Sequence, residues 1–271
     1  MELKLPILPG RFDVLSSRVD SSRTEEIVAR ILFDGPRRIG TTLTYHNAFT
    51  LLQVDEDPHI AETLPHFDLC YADGIGAVFA WVLTRGRRMR KVTANDFFIA
   101  LCEEIARHGL FVAFIGGQPG VTVEMSHRLW QQFPSLNVVR ASCGFLDEKD
   151  EKRLLEDLKE SDPAIVFVGM GQPRQEEWAL RVSRQFPRTV IHCVGGLFDN
   201  LSGRVPLAPS WMRKSGFEWL FQFLIRPRTM WRRYLLGVPK LFLLILKSYY
   251  SLSDERRRRS TELPSDSRAV R

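Results

Sequence analysis

The sequence feature that most constrains the fold is a buried strand that runs through a glycine turn into a helix. Residues 165–168 are apolar and rich in β-branched types, as in strands buried on both faces. Gly169 and Gly171 allow a sharp turn, and Pro173 suits the first position of a helix. The free amides of that helix would point over the strand's carboxyl end, where ligands collect in open parallel sheets. The segment predicts a parallel α/β sheet with a ligand site at this edge, although a plain strand–turn–helix connection would look similar.

What distinguishes this turn is its polar content. Gln172, Arg174, Gln175 and Glu176 follow one another around Pro173, which is more polar side chain than a solvated loop needs. We therefore assign the turn a binding role.

The order of predicted elements gives the fold class. Further strands are predicted over 39–45, 67–71, 110–115, 136–141 and 189–194, with helical segments between them. Strands alternating with helices of this length indicate a doubly wound, Rossmann-like parallel sheet. The 271 residues, 44% of them hydrophobic, suffice for one such core and an appendage.

Two polar residues end predicted strands on the same edge. Asp73 lies between a strand and Gly74, where its carboxylate can accept a proton from a substrate hydroxyl. The alternative, which the residues alone favour slightly, is that Asp73 caps the following helix. Asn47 also ends a strand and can cap the next helix, and the two roles are compatible.

Further glycine turns, at Gly116-Gly117 and Gly195-Gly196, fall on the same edge and predict a nucleotide-sized cleft together with Asp73. There is no G-x-G-x-x-G fingerprint and no Walker lysine. Residues 55–57 match the D-x-D pattern of metal-dependent sugar transferases, but they lie between two helices before Pro58 and predict a solvated turn. The histidines lack metal-ligand spacing. We therefore predict neither a metal nor a cofactor.

Charge divides the chain into two parts. Residues 204–271 contain 15 Lys/Arg and five Asp/Glu, a net +10, which leaves residues 1–203 with −4. We predict three units: an α/β domain (1–205), a basic helical appendage that associates with a membrane surface (206–252), and a disordered charged tail (253–271). No signal peptide is apparent and no apolar run approaches the length of a membrane span, so the sequence predicts a soluble or peripheral protein.

A basic segment with aromatic residues also occurs in proteins that bind nucleic acid. A non-catalytic nucleotide- or nucleic-acid-binding protein is therefore the alternative function. The apolar stripe 241–246 argues against this alternative, because an apolar surface does not contribute to binding the phosphates of a nucleic acid.

Six blocks in the same order resemble the WecG/TagA/CpsF family of bacterial glycosyltransferases, over about residues 13–237. The blocks are Asn47, residues 72–76, residues 114–117, residues 168–176, residues 194–199, and a last block of residues 208–211 with Glu218-Trp219 and Arg233-Tyr234. The chain departs from the family at Ala94-Asn95-Asp96, at Gln222 and at Thr229, where arginines are common at the last two positions.

The resemblance implies a metal-independent, inverting transferase. It would move a sugar of the N-acetylmannosamine, N-acetylmannosaminuronic acid or glucose type from a UDP donor to a sugar on undecaprenyl pyrophosphate, in surface polysaccharide synthesis. The enzyme would be cytoplasmic, on the inner face of the bacterial plasma membrane, with an anionic membrane surface as a partner, no nucleic acid partner, and room for a homo-oligomer.

The resemblance also implies roles for individual residues. Asp73 is the expected general base, with Asn47 beside it as the second catalytic residue. The residues expected to hold the donor are Gly116, Gly117, Gly169, Gly171, Gln172, Gln175, Glu176, Gly195, Gly196, Asp199, Arg228 and Arg233. Arg226 and Arg232 are further candidates among the arginines of the appendage.

Overall fold

The described part of the chain contains an eight-stranded sheet with helices on both faces. This computed structural model describes residues 11–14, 17–20, 28, 32, 41–85 and 94–247. The strands are β1 (Arg11–Val14), β2 (Ser17–Asp20), β3 (Thr41–His46), β4 (Leu69–Ala72), β5 (Phe111–Gly116), β6 (Asn137–Ser142), β7 (Ile165–Gly169) and β8 (Val190–Cys193).

Six of these strands form a parallel sheet in the order β4-β3-β8-β7-β5-β6. β1 and β2 form an antiparallel hairpin, and β2 joins the edge beside β4. The central strands β7 and β8 are buried at every position, because helices cover both faces of a parallel sheet. The predicted Rossmann-like α/β fold is confirmed, and the hairpin adds two strands beyond those predicted.

Helices connect the parallel strands and continue beyond the last one. They are α1 (Ala48–Glu56), α2 (Pro58–Thr63), α3 (Gly74–Arg85), α4 (Ala94–Arg107), α5 (Val121–Gln132), α6 (Glu148–Ser161), α7 (Arg174–Ser183), α8 (Leu197–Leu201), α9 (Ser210–Ser215), α10 (Glu218–Ile225), α11 (Pro227–Trp231) and α12 (residues 237–247), with a 3-10 turn at Leu64–His66 and a π-helical turn at Arg232–Leu236.

Two apolar clusters cover opposite faces of the sheet. The first contains Phe98 of α4, Met125 of α5 and Phe198 of α8. The second contains Leu154 of α6 and Trp178 of α7. Because helices lie on both faces, the sheet is doubly wound as expected.

The connections that follow β3 and β8 leave towards opposite faces. On β4, Tyr71 faces the first cluster, so its neighbour Ala72 faces the other side. Leu52 of α1, which follows β3, packs with Ala72, whereas Phe198 of α8, which follows β8, packs in the first cluster. β3 and β8 are adjacent in the sheet. Their carboxyl ends therefore flank a topological switch point, where open α/β sheets bind ligands.

The last described helix packs on α1 and α3. Leu241 and Ile245 of α12 are buried in a third cluster with Leu51 and Trp81, and Lys240 Nζ lies 2.6 Å from Glu56 Oε1. Among the described helices, none is both long and apolar enough to cross a bilayer. The predicted tail 253–271 lies outside the described residues.

Candidate active site

A cavity of about 780 Å³ opens at the switch point. Its wall includes Asn47 after β3, Asp73 after β4 and Gly196 after β8, which follow three neighbouring strands. α10 and α12 close the other side with Trp219 and Phe242. This volume is within the usual range for small-molecule sites.

Asn47 is fixed by the start of α1. Its Oδ1 accepts hydrogen bonds from the backbone amides of Phe49 at 2.9 Å and Thr50 at 3.0 Å, while Thr50 Oγ1 accepts from the amide of Asn47 at 3.2 Å. This is the capping box of a helix start, so the predicted cap is confirmed. Because Oδ1 is engaged, the side-chain NH₂ is the group that Asn47 can offer to the cavity.

Asp73 is positioned by the backbone of the neighbouring strand. Its amide donates to the carbonyl of His46 at 2.7 Å, and Gly74 begins α3 with φ of 80°. A positive φ favours glycine, which allows the chain to turn into the helix directly after Asp73. The half-buried Asp73 side chain lines the cavity. A carboxylate at the start of a helix is stabilised by the helix dipole, so it suits a base that is ionised at neutral pH.

Three polar residues that the sequence did not indicate as site residues also line the cavity. Asn200 Nδ2 donates to Asn95 Oδ1 at 3.3 Å, and Asn95 Nδ2 lies 3.4 Å from Glu218 Oε1. All three are in the cavity wall, as is Asp199, which was predicted. This chain of contacts joins α4, the end of α8 and the start of α10. The available sequence signal was that Asn95 and Glu218 lie in segments compared with the family and that Asn200 follows Asp199.

The polar turn before α7 is used internally. Glu176 Oε1 accepts from Thr44 Oγ1 at 2.8 Å, from Gln175 Nε2 at 2.8 Å and from Gln172 Nε2 at 3.1 Å. Gln175 Oε1 accepts from the amide of Gly195 at 3.0 Å. Gln175 and Glu176 are buried, and burial raises the pKa of the Glu176 carboxyl. These side chains therefore join α7 to β3 and to the turn after β8.

Gln172, Gln175 and Glu176 are absent from the cavity wall, and so is Gly171. The amide of Gln175 is bonded to the carbonyl of Gly171 at 2.9 Å, within the turn itself. Donor binding by these four residues stays a prediction, and the described contacts give them a role in positioning the strands.

The glycines of the neighbouring turns allow the backbone segments at the edge of the sheet to approach one another closely. A Cβ on Gly116 would overlap the carbonyl of Gly169, and one on Gly169 would lie 2.8 Å from the carbonyl of Gly195. Gly116 and Gly117 follow β5, which is three strands from β3, or about 14 Å at the usual strand spacing. None of these four glycines lines the cavity; Gly196 does. Donor binding by the four likewise stays a prediction.

Of the arginines of the appendage, Arg226 lines the cavity. Arg228 is exposed and is not in the cavity wall, and Arg232 lies 5.3 Å from the ring of Trp231. The side chain of Arg233 lies outside the described residues. Arg226 is thus the one basic side chain in the wall among the residues that the structure describes.

The acidic run 55–57 does not line the cavity. Lys240 Nζ lies 3.5 Å from Asp55 Oδ2 and 2.6 Å from Glu56 Oε1, and Asp57 caps α2 through the amide of His59 at 2.9 Å. Within 41–85, 94–247 and the short segments before them, no group of three or more His, Cys, Asp or Glu side chains is placed to hold a metal ion. The run is solvent-exposed, as expected, but Asp55 and Glu56 belong to the end of α1 and form ion pairs with α12, and Asp57 caps α2.

Comparison with known proteins identifies the family. The sequence profile of the glycosyl transferase WecG/TagA/CpsF family matches residues 12–255. The N-acetylglucosaminyldiphosphoundecaprenol N-acetyl-β-D-mannosaminyltransferase of Bacillus spizizenii is 30% identical over 192 residues, covering 71% of this chain and 73% of the relative. The family profile covers the strand ends that form the cavity, which include Asn47, Asp73 and Gly196. The chain therefore belongs to the WecG/TagA/CpsF family and is a glycosyltransferase.

Proposed function

We propose that this enzyme transfers a sugar, of the N-acetylmannosamine or a related type, from UDP to a sugar attached through a diphosphate to a polyprenol. The observation that supports this most directly is the pairing of Asp73 and Asn47 on adjacent strand ends in one cavity. The acceptor is proposed from the Bacillus relative, whose name specifies N-acetylglucosaminyldiphosphoundecaprenol. A role in surface polysaccharide synthesis follows from that acceptor.

The reaction would proceed in one displacement. The Asp73 carboxylate takes the proton from the acceptor hydroxyl as its oxygen attacks the anomeric carbon of the donor. The bond from that carbon to the UDP oxygen breaks on the opposite side, so the configuration inverts. The NH₂ group of Asn47 would donate a hydrogen bond to the donor or acceptor sugar. General-base assistance of this kind contributes typically ~10²–10⁴-fold to the rate.

The departing UDP needs positive charge nearby. Gly74, Ile75 and Gly76 at the start of α3 line the cavity, so the positive end of that helix dipole faces it. Arg226 adds a full charge from the opposite wall. We assign the stabilisation of the diphosphate to these two elements without a metal. Arg228 and Arg233 stay predictions for the same task.

The appendage would hold the enzyme on the inner leaflet of the plasma membrane. Leu224, Trp231 and Leu236 are 65%, 41% and 60% exposed, so three large apolar side chains within a short stretch of the appendage face solvent. They lie in the segment that carries net +10. Apolar side chains with basic neighbours favour anionic lipid surfaces.

The decisive experiment measures UDP release. Purified enzyme is incubated with UDP-sugars, singly, and with synthetic N-acetylglucosaminyl diphosphate lipid, and the product linkage is read by NMR. We expect UDP release that requires both substrates and gives an inverted anomeric configuration. Binding of UDP without turnover on any acceptor, or retention of configuration, would contradict the proposal and favour the non-catalytic alternative.

A further inference from the structure

The side chains that line the cavity form two chemically different sets, which we term its polar end and its apolar end. The polar end consists of Asn47, Asp73 and the contacts between Asn95, Asn200 and Glu218. The rest of the wall is mostly apolar. Its side chains include Phe49, Phe79, Trp219, Leu235, Val238 and Phe242.

The apolar wall is open to solvent. Phe79 is 50% exposed, Leu235 60%, Val238 50% and Phe242 49%, although all four face one cavity. Large apolar side chains left exposed around a cavity mark a ligand site, because their contact with water is unfavourable. Neither UDP nor a sugar offers comparable apolar surface, so the substrates' polar parts leave this wall unexplained.

We propose that this apolar end binds the first isoprene units of the acceptor's hydrocarbon chain, directly next to the diphosphate. The inference rests on the proposed function and adds a subsite to it. A polyprenyl diphosphate sugar is amphipathic in the same sense as the cavity: a polar sugar diphosphate is followed at once by a branched hydrocarbon. α10 contributes to both ends, since it carries Glu218 at its start and Phe223 further along, and Arg226 follows it.

The proposed subsite lies next to exposed apolar residues of the appendage. Leu224 and Leu236, which follow the wall residues Phe223 and Leu235 in sequence, are 65% and 60% exposed. In the proposed arrangement, the hydrocarbon chain would continue from the cavity to the surface that we assign to the membrane. If the chain stayed wholly in the bilayer, the apolar wall would face water while the sugar reacted.

The first test varies the hydrocarbon alone. N-acetylglucosaminyl diphosphate esters of methanol, citronellol (ten carbons) and farnesol (15 carbons) are compared in detergent without any bilayer. Each buried CH₂ group improves binding by about fourfold. We expect KM to fall at least about tenfold from the methyl to the farnesyl ester, with kcat nearly unchanged. Equal KM values for the three esters would overturn the proposal.

The second test removes apolar surface from the wall without adding a charge, since a carboxylate there would also repel the diphosphate. Phe79→Ser should lower the ratio of the methyl-ester KM to the farnesyl-ester KM about tenfold, because only the farnesyl chain contacts this wall. The matched control is Val82→Ser on the same helix, at a position that is 37% exposed and outside the cavity wall. Equal effects of the two substitutions would assign the result to α3 as a whole and contradict the subsite.

A third measurement does not depend on turnover. A farnesyl diphosphate that carries a benzophenone at its far end is photolysed with the wild-type enzyme, and the labelled peptides are identified by mass spectrometry. We expect labelling in α3 and α12, prevented by excess farnesyl diphosphate. Labelling elsewhere, including on an interface between two copies of the chain, overturns the proposal. If no acceptor is turned over but α3 and α12 are labelled, the proposed reaction fails while the subsite stands.

Discussion

The backbone amide of Asp73 donates to the carbonyl oxygen of His46 at 2.7 Å, one residue before Asn47. This hydrogen bond joins the ends of two parallel strands, so the positions of Asp73 and Asn47 are set by the sheet and not by flexible loops. A substitution that changes only the Asp73 side chain should therefore leave the geometry of the site intact.

On this basis we predict that Asp73→Asn loses turnover by ~10²–10⁴-fold, because the amide cannot accept the acceptor's proton. UDP binding, measured by calorimetry, should stay within about threefold of wild type. Turnover near the wild-type level would remove Asp73 from the mechanism.

A second prediction concerns metal ions. Lys240 forms ion pairs with Asp55 and Glu56. We assign the stabilisation of the charge that develops on the leaving UDP to the start of α3 and to Arg226. Steady-state turnover should therefore be unchanged in excess EDTA. Complete loss that Mg²⁺ or Mn²⁺ restores would show that the acidic run 55–57 binds a catalytic metal after all.

A third prediction concerns the membrane surface. Deleting α12 would be ambiguous, because Leu241 and Ile245 belong to the cavity wall and the core. We instead predict that Leu224→Glu with Leu236→Glu lowers co-sedimentation with anionic liposomes at least about tenfold, since both leucines would lose burial in lipid.

The control for that experiment is Val123→Glu, which is 46% exposed on α5, outside the appendage. It adds a negative charge without touching the predicted surface. Equal loss of liposome binding in both variants would indicate a general charge effect and count against a specific membrane surface.

A fourth prediction concerns the buried polar network. Glu176→Ala leaves the donors of Thr44, Gln172 and Gln175 without their acceptor, so we expect the free energy of unfolding to fall by about 3 kcal/mol. The neighbouring control is Glu177→Ala, whose side chain is 46% exposed and lies 3.4 Å from His59; its loss should be below about 0.5 kcal/mol. Urea denaturation measures both. Similar values for the two variants would contradict the structural role of the network.

A fifth prediction concerns acid stability. His46 is fully buried, neither ring nitrogen has a hydrogen-bond partner among the described residues, and burial lowers its pKa to about 3. Below pH 6.5 the unfolded chain takes up a proton at this residue and the folded chain does not. His46 alone should therefore lower the free energy of unfolding by up to about 1.4 kcal/mol per pH unit between pH 6.5 and 3, and the buried His192, whose pKa is also lowered to about 3, adds a similar contribution.

His46→Gln should reduce that slope by about one proton, measured by urea denaturation at pH 4.5–6.5. His59→Gln is the control, because the His59 side chain is 64% exposed. An unchanged slope in the first variant would contradict the assignment of a neutral, buried His46.

The sequence was sufficient to predict the position of those site residues that directly follow one strand. Asn47 and Asp73 could be placed on the sheet edge because each follows a buried strand. Which glycine turns accompany them depends on strand order, which local sequence does not encode. Gly116 and Gly117 follow a strand three positions from β3, whereas Gly196 follows its direct neighbour.

The polar wall was missed for a similar reason. Asn95, Asn200 and Glu218 come from three helices that meet only in the folded chain. Conversely, the run from Gln172 to Glu176 is conspicuous in sequence because a buried network needs several polar residues at once. Polar residues clustered in a turn can thus indicate structural hydrogen bonding as readily as ligand binding.

The packing of α12 against α1 and α3 has a consequence for synthesis of the protein on the ribosome. The Rossmann-like sheet is complete at Cys193, yet one wall of the cavity is supplied by Leu241, Phe242 and Ile245. A nascent chain can therefore possess both Asp73 and Asn47 in their final positions and still lack an enclosed site. The cavity is completed only when about fifty further residues have emerged and folded back, and the same step covers Leu51 and Trp81 with Leu241 and Ile245. Completion of the site and completion of the core are therefore one event at the end of synthesis.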